Sequence, residues 1–344
     1  MGVSPPSYPA MPEVRHSMNK KLPRHSAGSV ELKEGTGPIT AMCPCGDFLE
    51  IYKVDKTFRV KTPETIDPAE TNPNAPWVTS PVDDLGSSHP IVARVLLQGH
   101  EILKSALFDG EVDKDGVTKQ LHACKESLVA CEKTAKRVVA HIERVIQEVS
   151  AHSVSTDNRG RALNPFPQVP DLDMDCGTFL IQANRAIKLI CELPRFFISL
   201  DRADSNFDHL GKRLAAILGE STPLTEFVTS NADGIRYLID LRNFHEHPKE
   251  KRTVVDNFRV MPDTRIRVPM WHLAQHEPRP IKEEMFAALD FLVQMAEAML
   301  IHFVMHKVSK QFPFIVEEIL DEDIDLNTPI RYRLSIDTSK FRLG

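Results

Sequence analysis

The sequence predicts a mainly α protein, a helical bundle carrying an inserted β-hairpin and short flanking β segments. Three stretches carry this reading. Leu121, Cys124, Leu128, Cys131, Ala135, Val138, Ile142, Val145 and Val149 recur in alternating steps of three and four, the spacing of a narrow apolar seam between packed helices. Phe179, Ala183, Ala186, Ile190, Leu193, Phe197 and Leu200 repeat that spacing. The stretch from about 281 to 307 is apolar nearly all round, apart from Glu283, Asp290, Gln294 and Glu297, as expected of a helix central in a bundle.

In chain order, residues 1–46 are rich in Pro, Ser, Gly and scattered charge without periodicity, and read as a disordered N-terminal tail. Residues 47–86 read as an N-terminal β-hairpin and linker. Phe58 and Val60 alternate with Thr57, Arg59 and Lys61, and Asp55-Lys56 supplies the turn. The helical bundle covers 87–310. Pro90 suits the first turn of a helix reaching Phe108, the 121–149 seam follows, and a proline-bearing loop spans 153–172. Pro194 is expected to kink the third helix. A short helix runs from Asn206 to Leu218. Thr222-Pro223 then opens a helix with the stripe Leu224, Val228, Asn231, Ile235, Leu238 and Arg242, weakened at Gly234 and closed by Pro248. Residues 254–272 read as a β-hairpin insertion around Pro262-Asp263. Residues 311–344 read as a C-terminal tail with one strand, in which Ile330, Tyr332, Leu334 and Ile336 alternate with polar residues.

With 344 residues, 42% of them hydrophobic, the chain can bury one large or two modest cores. A net charge of −6 excludes a surface coated in basic residues, though not a local basic patch. The six cysteines are dispersed, with no C-x-x-C, and four lie in helical patterns. This argues for a reducing compartment rather than a disulfide scaffold. No uninterrupted apolar run reaches the ~18 residues of a membrane span, since Met285 to Met305 is broken by Asp290, Gln294, Glu297 and His302. The N-terminus lacks the apolar core of a signal peptide. A cytoplasmic location without membrane association is expected.

The chemically informative segment is Arg242-Asn243-Phe244-His245-Glu246-His247-Pro248. Arg242 falls where the apolar stripe should continue, and a buried Arg is costly unless paired. On an unbroken helix His247 would lie about 140° from it; Pro248 and the length of Arg leave room for convergence. An Arg followed by a polar residue and, four to six residues on, a His at a helix end in a helical bundle resembles the HEPN superfamily. Arg242, Asn243 and His247 fill those places. Similar bare spacing recurs at Arg94/His100 and Arg267/His272, but neither has Asn after the Arg.

The resemblance implies a bundle of the HEPN type over about 87–310. It also implies a metal-independent endoribonuclease that acts on single-stranded RNA as a homodimer and leaves a 2′,3′-cyclic phosphate. His247 would be the general acid/base, Arg242 the phosphate stabiliser and Asn243 the orienting group. The toxin and phage-defence roles that the family often serves imply an antitoxin or regulatory protein as partner. The alternative from another class is a catalytically inactive helical interaction module with the 121–149 seam as its working surface. A structural reading of the same residues pairs Arg242 with Glu246 at i,i+4.

Lys249, Lys251, Arg252, Arg259, Arg265 and Arg267, against Glu250, Asp256 and Asp263, leave a local positive excess after the motif, suited to RNA phosphates or to a solvated hairpin face. Cys43-Pro44-Cys45-Gly46 could offer two thiolates to zinc, but no second ligand pair stands at a known spacing. Asp171, Asp173 and Asp175 lack the glycine position and closing Glu of a calcium loop, so Asp175 or a neighbour is expected to cap the next helix. No metal or other cofactor is implied.

Overall fold

The computed structural model describes Arg24 and residues 30–152, 154, 156, 159, 162–200, 202–249 and 252–337. Most of the expected N-terminal tail therefore lies outside the described residues. The chain is mainly α-helical, with four small antiparallel sheets among the described residues.

The N-terminal sheet joins β1 (Ala41–Pro44), β2 (Leu49–Tyr52), β3 (Thr57–Lys61) and β4 (Val78–Asp83) in sequence order, with the short helix α1 (Pro63–Ile66) before β4. The β2–β3 hairpin turns where alternation placed it. β1 comes from the segment read as tail, and β4 from the segment read as linker. Pro81 in β4 stands opposite Phe58 and cannot donate to the ladder, which an edge strand tolerates. Ile51, Phe58 and Val60 form a small cluster, whereas Cys43, Cys45 and Tyr52 join the main core.

The bundle opens with a helix from Pro90 that runs through a π-helical stretch, Val92–Leu97, into α2 (Gln98–Ser105). α3 (Lys114–His152) and α4 (Leu172–Glu192) then pack along their seams. From Leu121 through Val145 every seam residue of α3 is buried, as are Phe179, Ala183, Ala186 and Ile190 of α4. The seam is used inside the chain, so it is not a free working surface for a partner. Asp175 does not cap α4. It lies buried in the first turn and accepts from Arg137 Nη2 at 2.6 Å, while Asp171 occupies the N-cap with positive φ. Pro194 ends the α-helix rather than kinking it, and a 3-10 turn, Leu193–Phe196, follows, because proline supplies no N–H to the α ladder.

α5 (Phe207–Leu218) starts at Asn206, whose Oδ1 accepts from His209 N at 2.9 Å. The helix expected from 222 to 247 is two: α6 (Pro223–Ser230) and α7 (Ala232–Glu246). The break falls at Asn231, whose Nδ2 donates to the Phe227 carbonyl at 2.8 Å and so competes with the helical hydrogen bond. After α7 come β5 (Thr253–Asp256), β6 (Arg259–Val260), β7 (Ile266–Arg267) and β8 (Met270–Leu273). β5 pairs with β8 and β6 with β7 in one continuous register, making a single long hairpin, and β9 (Arg279–Pro280) adds to β8. Trp271 rather than the Ile266/Val268/Met270 row is fully buried, edge-on to Phe179 with ring centroids 5.8 Å apart.

α8 (Ile281–Lys307) crosses the middle of the bundle. By length and composition it could span a membrane, but 56% of its most apolar window is buried inside the protein. Its polar stripe is structural in part. Glu297 accepts from Arg94 Nε at 3.1 Å and from Gln98 Nε2 at 3.1 Å. Gln98 Oε1 in turn accepts from the backbone N–H groups of Arg331 and Tyr332 at 2.7 and 2.8 Å. This ties the bundle to the C-terminal hairpin of β10 (Phe314–Glu318) and β11 (Tyr332–Ile336).

Candidate functional site

The motif occupies the last turn of α7. Ile235, Leu238 and Leu241 bury the inner face of that helix. Arg242, next on that side, sits at the rim with its side chain 28% exposed. Its Nη1 donates to Asn243 Oδ1 at 3.0 Å and its Nη2 pairs with Glu246. Its Nε is buried and makes no hydrogen bond. His247 closes the helix: its N–H donates to the Asn243 carbonyl at 2.9 Å, φ turns to −129°, and the side chain is exposed. No hydrogen bond or ion pair joins Arg242 to His247 among the described residues.

His245 points instead at α4. Its Nε2 lies 3.2 Å from Asp173 Oδ1, and its ring fills the space beside Gly177. A Cβ on Gly177 would stand 2.7 Å from His245 Cε1, closer than carbon atoms pack, so glycine is what lets the ring lie against α4. On the hairpin side, Thr253 Oγ1 donates to the Leu241 carbonyl at 2.7 Å, fastening β5 to the last turn of α7.

Of the six basic residues expected to hold RNA, five are described, and they differ in exposure and pairing. Lys249, Arg252 and Arg259 are exposed. Arg265 is 86% exposed but paired with Asp263, and Arg267 donates to Asp256 at 2.7 Å. Lys251 lies outside the described residues. Local acids thus neutralise two of the six.

Beside the motif, a cavity of about 90 Å³ is lined by Asp240, Phe244, Arg252, Leu273 and His276, among others. His276 also lines an adjoining cleft of about 440 Å³ with Gly234, Tyr237, Glu277 and Arg279. Sequence spacing pointed to Arg252 but missed His276, which the hairpin brings back against α7 from 29 positions beyond His247. A fold was needed to find it, because no local pattern links the two segments. Compared with known proteins, the chain matches no protein-family model, no curated protein and no solved structure.

Proposed function

We propose that the chain is a metal-independent endoribonuclease of the HEPN type, with Arg242, Asn243 and His247 as its working residues. The observation that carries this reading is the hydrogen bond from Arg242 to Asn243 at the end of α7, one turn from an exposed His247. It gives Asn243 the orienting part that the resemblance implies. The rim position supports the same reading, since a surface ion pair such as Arg242–Glu246 is worth only about 0–1 kcal/mol and yields readily to a phosphate.

One chain supplies one imidazole, and Arg242 and His247 do not touch within it. Two copies meeting across a two-fold axis would supply two of each. In the composite site the 2′-hydroxyl oxygen attacks the adjacent phosphorus, and its proton passes to one His247. The bond from phosphorus to the 5′-oxygen breaks, and the other His247, protonated, gives that oxygen its proton. Arg242 holds the phosphate oxygens as negative charge builds on them. The products are a 2′,3′-cyclic phosphate and a 5′-hydroxyl. Lys249, Arg252 and Arg259, all exposed, would guide the RNA backbone. An antitoxin or regulatory partner and a cytoplasmic setting belong to the same proposal.

The test combines sedimentation with cleavage of single-stranded RNA without added divalent cation. The reading expects a dimer at micromolar concentration and a loss of about 10²–10⁴-fold in Arg242→Ala, with Arg242→Lys only partly restored. A strict monomer that cleaves nothing, or an Arg242→Ala variant as active as the parent, would overturn it.

A further inference from the structure

The hairpin turn Cys43-Pro44-Cys45-Gly46 packs against α3, where Gly46 meets the Lys119 side chain. Cys43 and Cys45 are buried, and Glu50 of β2 is fully buried beneath them. One donor atom each from Cys45, Glu50 and His122 lie within 4.8 Å of one another. His122 reaches in from α3, its side chain 12% exposed. Its Nε2 stands 2.9 Å from Glu50 Oε1, yet that nitrogen is buried and makes no aligned hydrogen bond. The Cys45 thiol spends itself weakly on the Cys43 carbonyl at 3.5 Å.

The surroundings divide into donors to Glu50 and a side left open. Tyr52 Oη donates to one carboxylate oxygen, which also accepts from Lys125 Nζ at 3.0 Å. The other accepts from Arg59 Nη2 at 2.8 Å. Its remaining lone pair faces the unsatisfied His122 nitrogen and the Cys45 sulfur. A thiol, an imidazole and a carboxylate oxygen make a mixed sulfur, nitrogen and oxygen set of the kind that holds zinc, and Cys43, two residues before Cys45 but outside that trio, carries a second buried thiol.

We propose that Cys45, Glu50 and His122 hold a zinc ion that clamps the N-terminal sheet to α3, with the Cys43 side chain turning in as the fourth ligand. Lys125 and Arg59 act as outer partners. They orient the carboxylate and offset the negative charge that two thiolates and Glu50 bring together. Zinc binding displaces protons from the sulfurs to solvent, so affinity rises with pH. The rival occupant is a proton, which would leave a buried His122–Glu50 ion pair and two inert thiols. The site is separate from the motif on α7 and does not depend on the ribonuclease reading.

Metal analysis of the full chain, purified after growth with zinc, decides between them. The proposal expects one zinc per chain and a drop of at least about tenfold in zinc content for Cys45→Ser and for His122→Ala. Lys125→Met should weaken binding by about 10–100-fold while leaving the ligands in place. Since either ligand variant can fail to fold, cobalt(II) alone is also added to metal-free wild-type protein. A thiolate-to-cobalt charge-transfer band with intense tetrahedral visible bands supports the site. Zinc well below stoichiometric together with no such band overturns it, as does full zinc content in a folded Cys45→Ser variant.

Discussion

Replacing Glu297 with methionine removes one charge from the middle of the bundle and leaves its partners behind. Glu297 is 4% exposed, and the Arg94 side chain facing it is 11% exposed. The next acid within reach, Asp290, lies 4.0 Å from Arg94 Nη1 and is 63% exposed, so it compensates little. Gln98, fully buried, loses the acceptor for its Nε2. Breaking a buried pair from one side costs about 3–5 kcal/mol. Domains of 150–250 residues lose about 2–4 °C of Tm per kcal/mol and longer chains less, so Tm should fall by on the order of 5–15 °C. Differential scanning calorimetry with circular dichroism measures this. The double variant Arg94→Met/Glu297→Met removes both charges and should cost less than the sum of the two single variants, by a coupling of about 1–3 kcal/mol. A single-variant loss below about 1 kcal/mol, or strict additivity in the double variant, would refute the reasoning that an unpaired Arg94 carries the penalty.

Gly177→Ala pushes a methyl group into the His245 ring, and overpacking of this kind costs about 1–3 kcal/mol; unchanged thermal stability would show that the α4–α7 contact is loose. Burial lowers the pKa of His302, which stacks on Phe227 with ring centroids 4.7 Å apart. The unfolded chain then binds the proton more readily than the folded one. That contribution is full above about 6.5, the unfolded value, and is lost as pH falls through the lower folded value. Tm against pH should therefore flatten across that window in His302→Gln, and an unchanged slope would contradict it. Under the proposed function, Arg252→Glu with Arg259→Glu should weaken RNA association and reduce its salt dependence; binding titrations at two salt concentrations read both, and unchanged values would remove these residues from the RNA surface.

The α3–α4 seam was legible because each buried side chain there obeys one local period. Trp271 was not, because it follows the row that alternation favoured and is buried by Phe179 from a distant helix. β1 was hidden by its shortness and by Pro44, and β4 by Pro81, since proline is rare inside strands. The split at Asn231 was half visible: an Asn on an apolar stripe is a signal, but its bond to the Phe227 carbonyl needs coordinates. At the candidate site, Arg242 stood out as a charge on an apolar row, and the structure accounts for it with Asn243 and Glu246. His276 and the addition of His122 to Cys45 and Glu50 were out of reach, because each lies tens of residues from its neighbours in space and only packing brings them together.

The most direct test of the proposed chemistry compares two single-stranded RNA oligomers that differ by one oxygen, the second carrying a 2′-deoxy sugar at the nucleotide where the first is cut. The account predicts that purified wild-type protein cleaves the first without added divalent cation and leaves a 2′,3′-cyclic phosphate. It predicts that the second stays intact at that position, and that His247→Ala loses about 10²–10⁴-fold in rate with its fold unchanged. Cleavage of the deoxy-substituted oligomer at that position, or equal cleavage by wild type and His247→Ala, would contradict it.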